Sequence, residues 1–350
     1  MQAGRFIPPL YFFKNFCIIA IISICNISFN YRKVTGDKEL IRLAQQKGVS
    51  FLIKIQRHNG AICDTINPLF DTWETILAAT AIYRSDTGEK NSGPVKKALA
   101  FLKNSENNKG LICHNQKCKK AYCLETTSVY FNLLQLTGKD EKITSALKTI
   151  ASLQKQSGEW EIGNPDVTVQ KAFPSVTAFV LNTLQNKKAE PLYKKNAIDW
   201  LLQKQTAQGD WGAAWEYYGC PAYALWPIMK VLQNENAKEA VSAKDKAITF
   251  ILASQNDDGS WFYRDAALQK QTSPALQTAL MLSALQNAGI KSTEAVLKGI
   301  NFLVKNQQEN GGWEGGFFPI PQERYTKQEY VFATALAVDL MRTYLLNNNN

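Results

Sequence analysis

Glu125 stands in AYCLETTSVYFNLL (121–134), where small polar residues give way to an apolar helical pattern. A carboxylate at a helix start can cap the free N–H groups of the first turn. Alternatively it can serve as a general acid, if burial and hydrogen bonding hold its proton. Asp71 and Glu74 open a similar segment, DTWETILAATAI, while Asp64, Asp166 and Glu216 lie in loops. Aromatic side chains cluster near the same segments: Trp73, Tyr122, Trp215, Tyr217 and Tyr218, then Trp226, Phe262, Tyr263, Phe317 and Phe318. Such residues are either ordinary core or the wall of an apolar ligand cavity.

Cysteine is the other residue type able to do chemistry. Cys17 and Cys25 fall in an apolar leader, and Cys63, Cys113, Cys118, Cys123 and Cys220 follow. CHNQKC followed by Cys123 offers metal-binding residue types but no C-x-x-C pair, so no metal site is expected. Cys63 and Cys113 each lie twelve residues after a repeat anchor, Phe51 and Phe101. In an exported domain this equivalence predicts a Cys63–Cys113 bridge, with Cys118–Cys123 as a second and Cys220 free.

The elements that position these residues are internal repeats. NAIDWLLQKQTAQGDW, KAITFILASQNDDGSW and KGINFLVKNQQENGGW each place Gln five residues after an aromatic, then Gly-x-Trp. Three weaker copies precede them: KGVSFLIKIQRHNGAI, KALAFLKNSENNKGLI and LKTIASLQKQSGEW. The anchors Phe51, Phe101, Ala151, Trp200, Phe250 and Phe302 are spaced by 50, 50, 49, 50 and 52 residues. Each unit reads as an apolar i, i+3, i+4 helix ended by a Gly turn, a variable loop, and a second, more apolar helix. Six helix pairs result, and the more apolar helices belong on the inside. The Gln and Trp residues are structural: a Gln amide satisfies orphan backbone groups at a neighbouring helix end, and a Trp covers it.

Composition sets limits on partners. Net charge is +10, but Lys and Arg are scattered through amphipathic segments without a basic block, so no nucleic-acid partner is expected. Arg5 and Lys14 precede FCIIAIISICNISF, and Tyr31-Arg32-Lys33 follows it, the pattern of an export signal or N-terminal anchor. The expected organisation is therefore a leader over 1–33, one domain over 34–346 and a short tail over 347–350, with the protein exported or membrane-anchored through the leader.

The repeats resemble the Gln–Trp repeats of the squalene–hopene cyclase and oxidosqualene cyclase family. FDTWETILAATAI looks like that family's W-D-T-A-L helix, and GDWGAAWEYYGCPAYALW resembles its G-S-W-x-G-R-W-G-V-N-Y-x-Y-G-T segment. QTSPALQTALMLSAL is similar to its S-T-P-S-Q-T-A-W-A-L helix, and the matches fall in order from about residue 40 to 345. The resemblance implies an all-α fold, an α6–α6 toroid, with no cofactor. It also implies chemistry: protonation of an alkene or epoxide, then passage of a carbocation through a dry cavity whose aromatic faces stabilise it. The family's acid motif, Asp-x-Asp-Asp-Thr-Ala, aligns with Tyr122-Cys123-Leu124-Glu125-Thr126-Thr127. Leu124 replaces the proton-donating Asp, and Glu125 corresponds to the Asp after it. Asp71 matches the family's own Asp one repeat earlier. YYGCPAYALW also faintly resembles a zinc-ligand segment of protein prenyltransferase β-subunits, with Cys220 at the Cys. Tyr218 stands at the Asp there, and the histidines, His58 and His114, lie in the first two repeats, so that metal site does not form.

Two functions are expected from this reading. One is an isoprenoid-processing enzyme using Glu125 or Asp71 as its acid, with an apolar isoprenoid or lipid ligand and a membrane surface as partners. The other is a non-catalytic lipid-binding or scaffold protein that kept the toroid. An exported carbohydrate-active toroid would need paired carboxylates in its cleft, and no such pair is evident in the sequence.

Overall fold

The computed structural model describes residues 37–64, 70–85, 93–118, 121–140, 143–163, 171–186, 189, 191–212, 220–263, 272–316 and 330–348. All belong to one compact unit, Lys33–Asn350. Within it are twelve α-helices: α1 (Lys38–Lys54), α2 (Asp71–Ser85), α3 (Gly93–Asn104), α4 (Leu124–Leu136), α5 (Thr144–Ser152), α6 (Pro174–Asn186), α7 (Lys194–Gln203), α8 (Ala222–Gln233), α9 (Lys238–Ala253), α10 (Pro274–Asn287), α11 (Glu294–Lys305) and α12 (Val331–Asn347). Among the described residues a short 3-10 turn, Gln116–Cys118, and isolated β-bridges accompany them.

The even-numbered helices form the inner ring. α2, α4, α6, α8, α10 and α12 touch in that order, and α12 returns to α2. Burial follows from sequence: α10 is buried continuously from Ala275 to Leu285, as a helix surrounded on all sides must be. The odd-numbered helices bury one stripe each, such as Val296, Leu297, Ile300 and Leu303 of α11. Side-chain caps start several helices, with Asp37 accepting from Leu40 N, Ser273 from Leu276 N and Thr293 from Val296 N. The all-α toroid that the family resemblance implied is the fold observed.

The Gln–Gly–Trp element works as a joint between neighbouring repeats. Gln255 Nε2 donates to Gly259 O at 3.0 Å and to Ala295 O, near the start of the next outer helix, at 2.9 Å. Gln56, Gln154 and Gln205 do the same for Pro94, Tyr193 and Ala243. The Trp indoles tie back to their own outer helices, Trp261 Nε1 donating to Ile251 O and Trp313 Nε1 to Leu303 O, both at 2.7 Å. Glycine is required between them: a Cβ on Gly259, at φ +89, would lie 2.4 Å from Lys298 O. A threonine of the neighbouring inner helix accepts from the backbone at the Trp position in every repeat but the fourth, whose inner helix has none, as Thr278 does from Trp261 N and Thr334 from Trp313 N.

The same chemistry closes the ring between the last repeat and the first. Gln307 Nε2 donates to Ala44 O of α1 at 2.8 Å, across 263 residues of sequence. Trp313 lies over Gly48, where a Cβ would come within 2.9 Å of the indole. Arg84 of α2 pairs with Asp339 of α12 at 2.7 Å.

The expected localisation needs correction. Among the described residues no helix is long and apolar enough to cross a membrane, and the N-terminal apolar run lies outside them.

Candidate active site

Glu125 is the second residue of α4, so the backbone aims its side chain toward the first turns of the inner ring. The Thr–backbone register equates it with Trp73 of α2 and Phe332 of α12, the positions two before Thr127, Thr75 and Thr334. Ser175 Oγ of α6 donates to its Oε1 at 2.6 Å, and Tyr223 Oη of α8 donates to its Oε2 at 3.2 Å. Glu125 is only partly buried as a whole residue, yet desolvation dominates around its carboxyl. Burial pushes the pKa up to about 7, and the two hydroxyl donors pull against that rise by stabilising the carboxylate. The group therefore exchanges its proton near neutrality, where general acids work.

Aromatic rings gather beside it. Tyr223 lies 6.5 Å from Phe179, 6.4 Å from Trp226 and 6.4 Å from Phe332, centroid to centroid. Trp73 joins the cluster edge-on to Phe179 at 6.1 Å and to Phe332 at 6.0 Å. Four inner helices thus contribute rings to one layer, and Glu125 is a single hydrogen bond from it. Phe179 and Phe332 were not singled out in the sequence, although both lie on inner helices where the apolar pattern made them look like ordinary core.

Asp71 has separate surroundings. Its Oδ1 accepts from Gln116 N at 2.9 Å, and burial raises its pKa against that bond and the charges of Arg57 and Lys117. Gln116 belongs to the loop closed by a Cys113–Cys118 disulfide. The expected Cys63–Cys113 and Cys118–Cys123 bridges are therefore corrected: Cys63, Cys123 and Cys220 are buried and form no disulfide among the described residues. Equivalent positions in adjacent repeats lie one helix pair apart, whereas Cys118 folds back beside Cys113 in a tight loop. Burial pushes the Cys63 and Cys123 thiols up to about 12, so neither is a ready nucleophile. His114 completes a group of potential metal donors with Cys113 and Cys118, but the two sulfurs are bonded to each other.

The sequence reading passed over one carboxylate pair. Asp64 N donates to Glu74 Oε2 at 2.9 Å, and both residues are buried. The two side chains also share a hydrogen bond, and burial raises the pKa of Asp64. Asp64 Oδ2 accepts from Tyr330 N at 3.0 Å and Val331 N at 3.2 Å, capping α12 from the first repeat. A cap supplied from 266 residues away leaves no local sequence signal.

Of the remaining expected residues, Trp226 lies in the aromatic layer. The half-buried Tyr122 ring sits against Gly163, whose added Cβ would be 2.3 Å from it. Phe262 and Tyr263 are exposed, at 38% and 44%. Trp215, Tyr217, Tyr218, Phe317 and Phe318, with Asp166 and Glu216, lie outside the described residues.

Comparison with known proteins now bears on this geometry. Residues 164–330 match the model of the squalene–hopene cyclase C-terminal domain. A squalene–hopene cyclase of Zymomonas mobilis is 34% identical over 137 residues, covering 36% of this chain and 20% of that protein. The lanosterol synthase of Pneumocystis carinii is 22% identical over 301 residues, covering 69% of the chain and 42% of the synthase. The type II terpene cyclase MstE from Scytonema superposes with a TM-score of 0.71 at 18% identity, over 89% of this chain and 99% of that one. The family model, the relatives and the fold together support a squalene–hopene/oxidosqualene cyclase-like family. The chain spans about a fifth of the Zymomonas enzyme. A point variant of MstE has also been solved with geranylgeranyl dihydroxybenzoate bound as substrate, a complex that superposes with a TM-score of 0.69 at 17% identity, over 88% of this chain and 98% of that one. Leu124 is buried, and the neighbouring Glu125 carries the carboxyl.

Proposed function

We propose that the protein processes isoprenoids, protonating an alkene or epoxide with Glu125 and guiding the resulting cation to a cyclised or isomerised product. The observation that carries this reading is the Glu125 carboxyl held by Ser175 and Tyr223 beside the aromatic layer. In the first step the carboxyl O–H breaks, its proton joins the substrate, and the cation forms next to ring faces. Ser175 and Tyr223 stabilise the carboxylate left behind, and a proton lost from the cation ends the reaction. A carboxyl with a pKa near 7 is about half protonated at neutral pH but is a weak acid. An epoxide oxygen is more basic than a carbon–carbon double bond, so an epoxidised polyprenyl chain is the better substrate. The test is incubation with squalene, its epoxide and shorter polyprenyl compounds, followed by mass spectrometry of the extract. A cyclised product absent in Glu125→Gln supports the reading, and full activity in that variant rejects it.

A second reading, a non-catalytic lipid-binding protein, draws on Leu124 at the donor position and on rings packed edge-on against one another. It predicts lipid extractable from the purified protein and no turnover.

A further inference from the structure

The far end of the inner ring, where the inner helices terminate, holds a cavity of about 380 Å³. Trp226 and Phe179 line its deep part, so the aromatic layer separates it from Glu125. Its outer wall is rich in amides and charges from different helices: Asn182, Gln286, Asn287, Asp339, Arg84 and Lys230. The amide nitrogens there are committed to backbone. Asn182 Nδ2 donates to Pro227 O at 2.9 Å, Asn287 Nδ2 to Trp226 O at 2.7 Å and Gln286 Nε2 to Leu340 O at 3.3 Å. Because a carbonyl can only accept, these bonds fix the amide orientation and leave the amide oxygens for other partners.

Two buried acceptors in this wall have no hydrogen-bond partner among the described residues: Asn182 Oδ1 and Asp339 Oδ1. Asn182 is itself 8% exposed, and buried polar atoms are normally satisfied. Asp339 Oδ2 is paired with Arg84 at 2.7 Å, and Lys230 adds a further positive charge to the wall. The wall is thus rich in acceptors but not negative, which favours a neutral donor-rich ligand over a cation. The volume corresponds to roughly a dozen water-sized groups.

We propose that this cavity is a second binding site, opposite the carboxylate end, for a neutral polyhydroxylated ring of monosaccharide size. Its hydroxyls donate to Asn182, Asp339 and the neighbouring amide oxygens, and one C–H face rests on Trp226. The occupant is a free hexose or the sugar head of a glycoside, which share this chemistry. None of its polar groups takes part in the isoprenoid chemistry, although it shares the Trp226 and Phe179 rings with the aromatic layer.

Ligand-observed NMR with D-glucose, D-galactose, D-mannose and methyl and hexyl glucosides tests this, with the side-chain amide and indole signals of the labelled protein followed alongside. At least one sugar is expected to bind in the millimolar range, shifting the Asn182 amide and Trp226 indole resonances. Tighter binding of the hexyl glucoside than the methyl glucoside identifies a glycoside, and equal binding a free sugar. Leu336→Trp, which fills the cavity from α12, is expected to reduce binding at least tenfold, while Glu125→Gln at the opposite end leaves it unchanged. No saturation transfer from any sugar, or shifts confined to residues away from this cavity, overturns the proposal without relying on a variant.

Discussion

Tyr223 of α8 donates its hydroxyl to Glu125 of α4 at 3.2 Å, linking the carboxyl to an aromatic layer built from four inner helices. The link sets both the acidity of Glu125 and its position. Removing a donor to the charged form raises a carboxyl pKa further. Tyr223→Phe and Ser175→Ala should therefore each move the Glu125 midpoint above about 7. Carbon-13 NMR of labelled glutamate reads this directly. A midpoint unchanged in both variants would mean that the hydroxyls do not act on the carboxyl.

The raised pKa of Glu125 also makes stability depend on pH. Between its ordinary value of 4.5 and about 7, the folded protein keeps a proton that the unfolded chain releases. Its contribution is full below 4.5 and is lost as pH rises through 7. Asp64 and Asp71, also raised by burial, act with the same sign. Urea unfolding across this range should show stability declining with pH, and Glu125→Gln should flatten the decline. A slope identical in wild type and variant contradicts the assignment.

Gln307 and Trp313 close the ring, and their loss should be felt globally. Gln307→Ala strips the donor from Ala44 O and Gly311 O, at a cost of about 1–3 kcal/mol for acceptors left unsatisfied. Trp313→Ala empties a fully buried site and should cost about 3–5 kcal/mol. Chemical denaturation measures both, and a loss below 0.5 kcal/mol, about the effect of a surface substitution, would argue against the closure.

The cysteine arrangement can be checked chemically. Peptide mapping without reductant should recover Cys113 joined to Cys118, with Cys63, Cys123 and Cys220 alkylated only after denaturation. A Cys63–Cys113 peptide would restore the pairing that repeat equivalence suggested.

These contrasts show where sequence carries structure and where it does not. The toroid was legible because Gln255, Gly259 and Trp261 act within one local turn whose spacing recurs, and each residue type has one physical job there. Glu125 was legible as a candidate because a carboxylate at an apolar helix start stands out, but its partners Ser175 and Tyr223 come from other repeats. Asp64 looked like a loop carboxylate because the helix end it caps is the last in the chain. Phe262 and Tyr263 follow a buried Trp, yet the Tyr263 backbone is held to Gln277 while both residues are exposed. Family resemblance did not reveal this, because repeat position fixes a backbone register but not which way a loop side chain turns.

The central claim is that Glu125 delivers the proton. Turnover in heavy water, with squalene or a shorter polyprenyl alkene in excess, tests this most directly, because a deuteron added to an alkene stays on carbon whereas one added to an epoxide oxygen exchanges. Wild-type protein should yield a cyclised or isomerised product that has taken up solvent deuterium, and Glu125→Gln should lower its formation by at least a hundredfold, the scale of a positioned general acid. Equal deuterated product from wild type and Glu125→Gln would contradict the account.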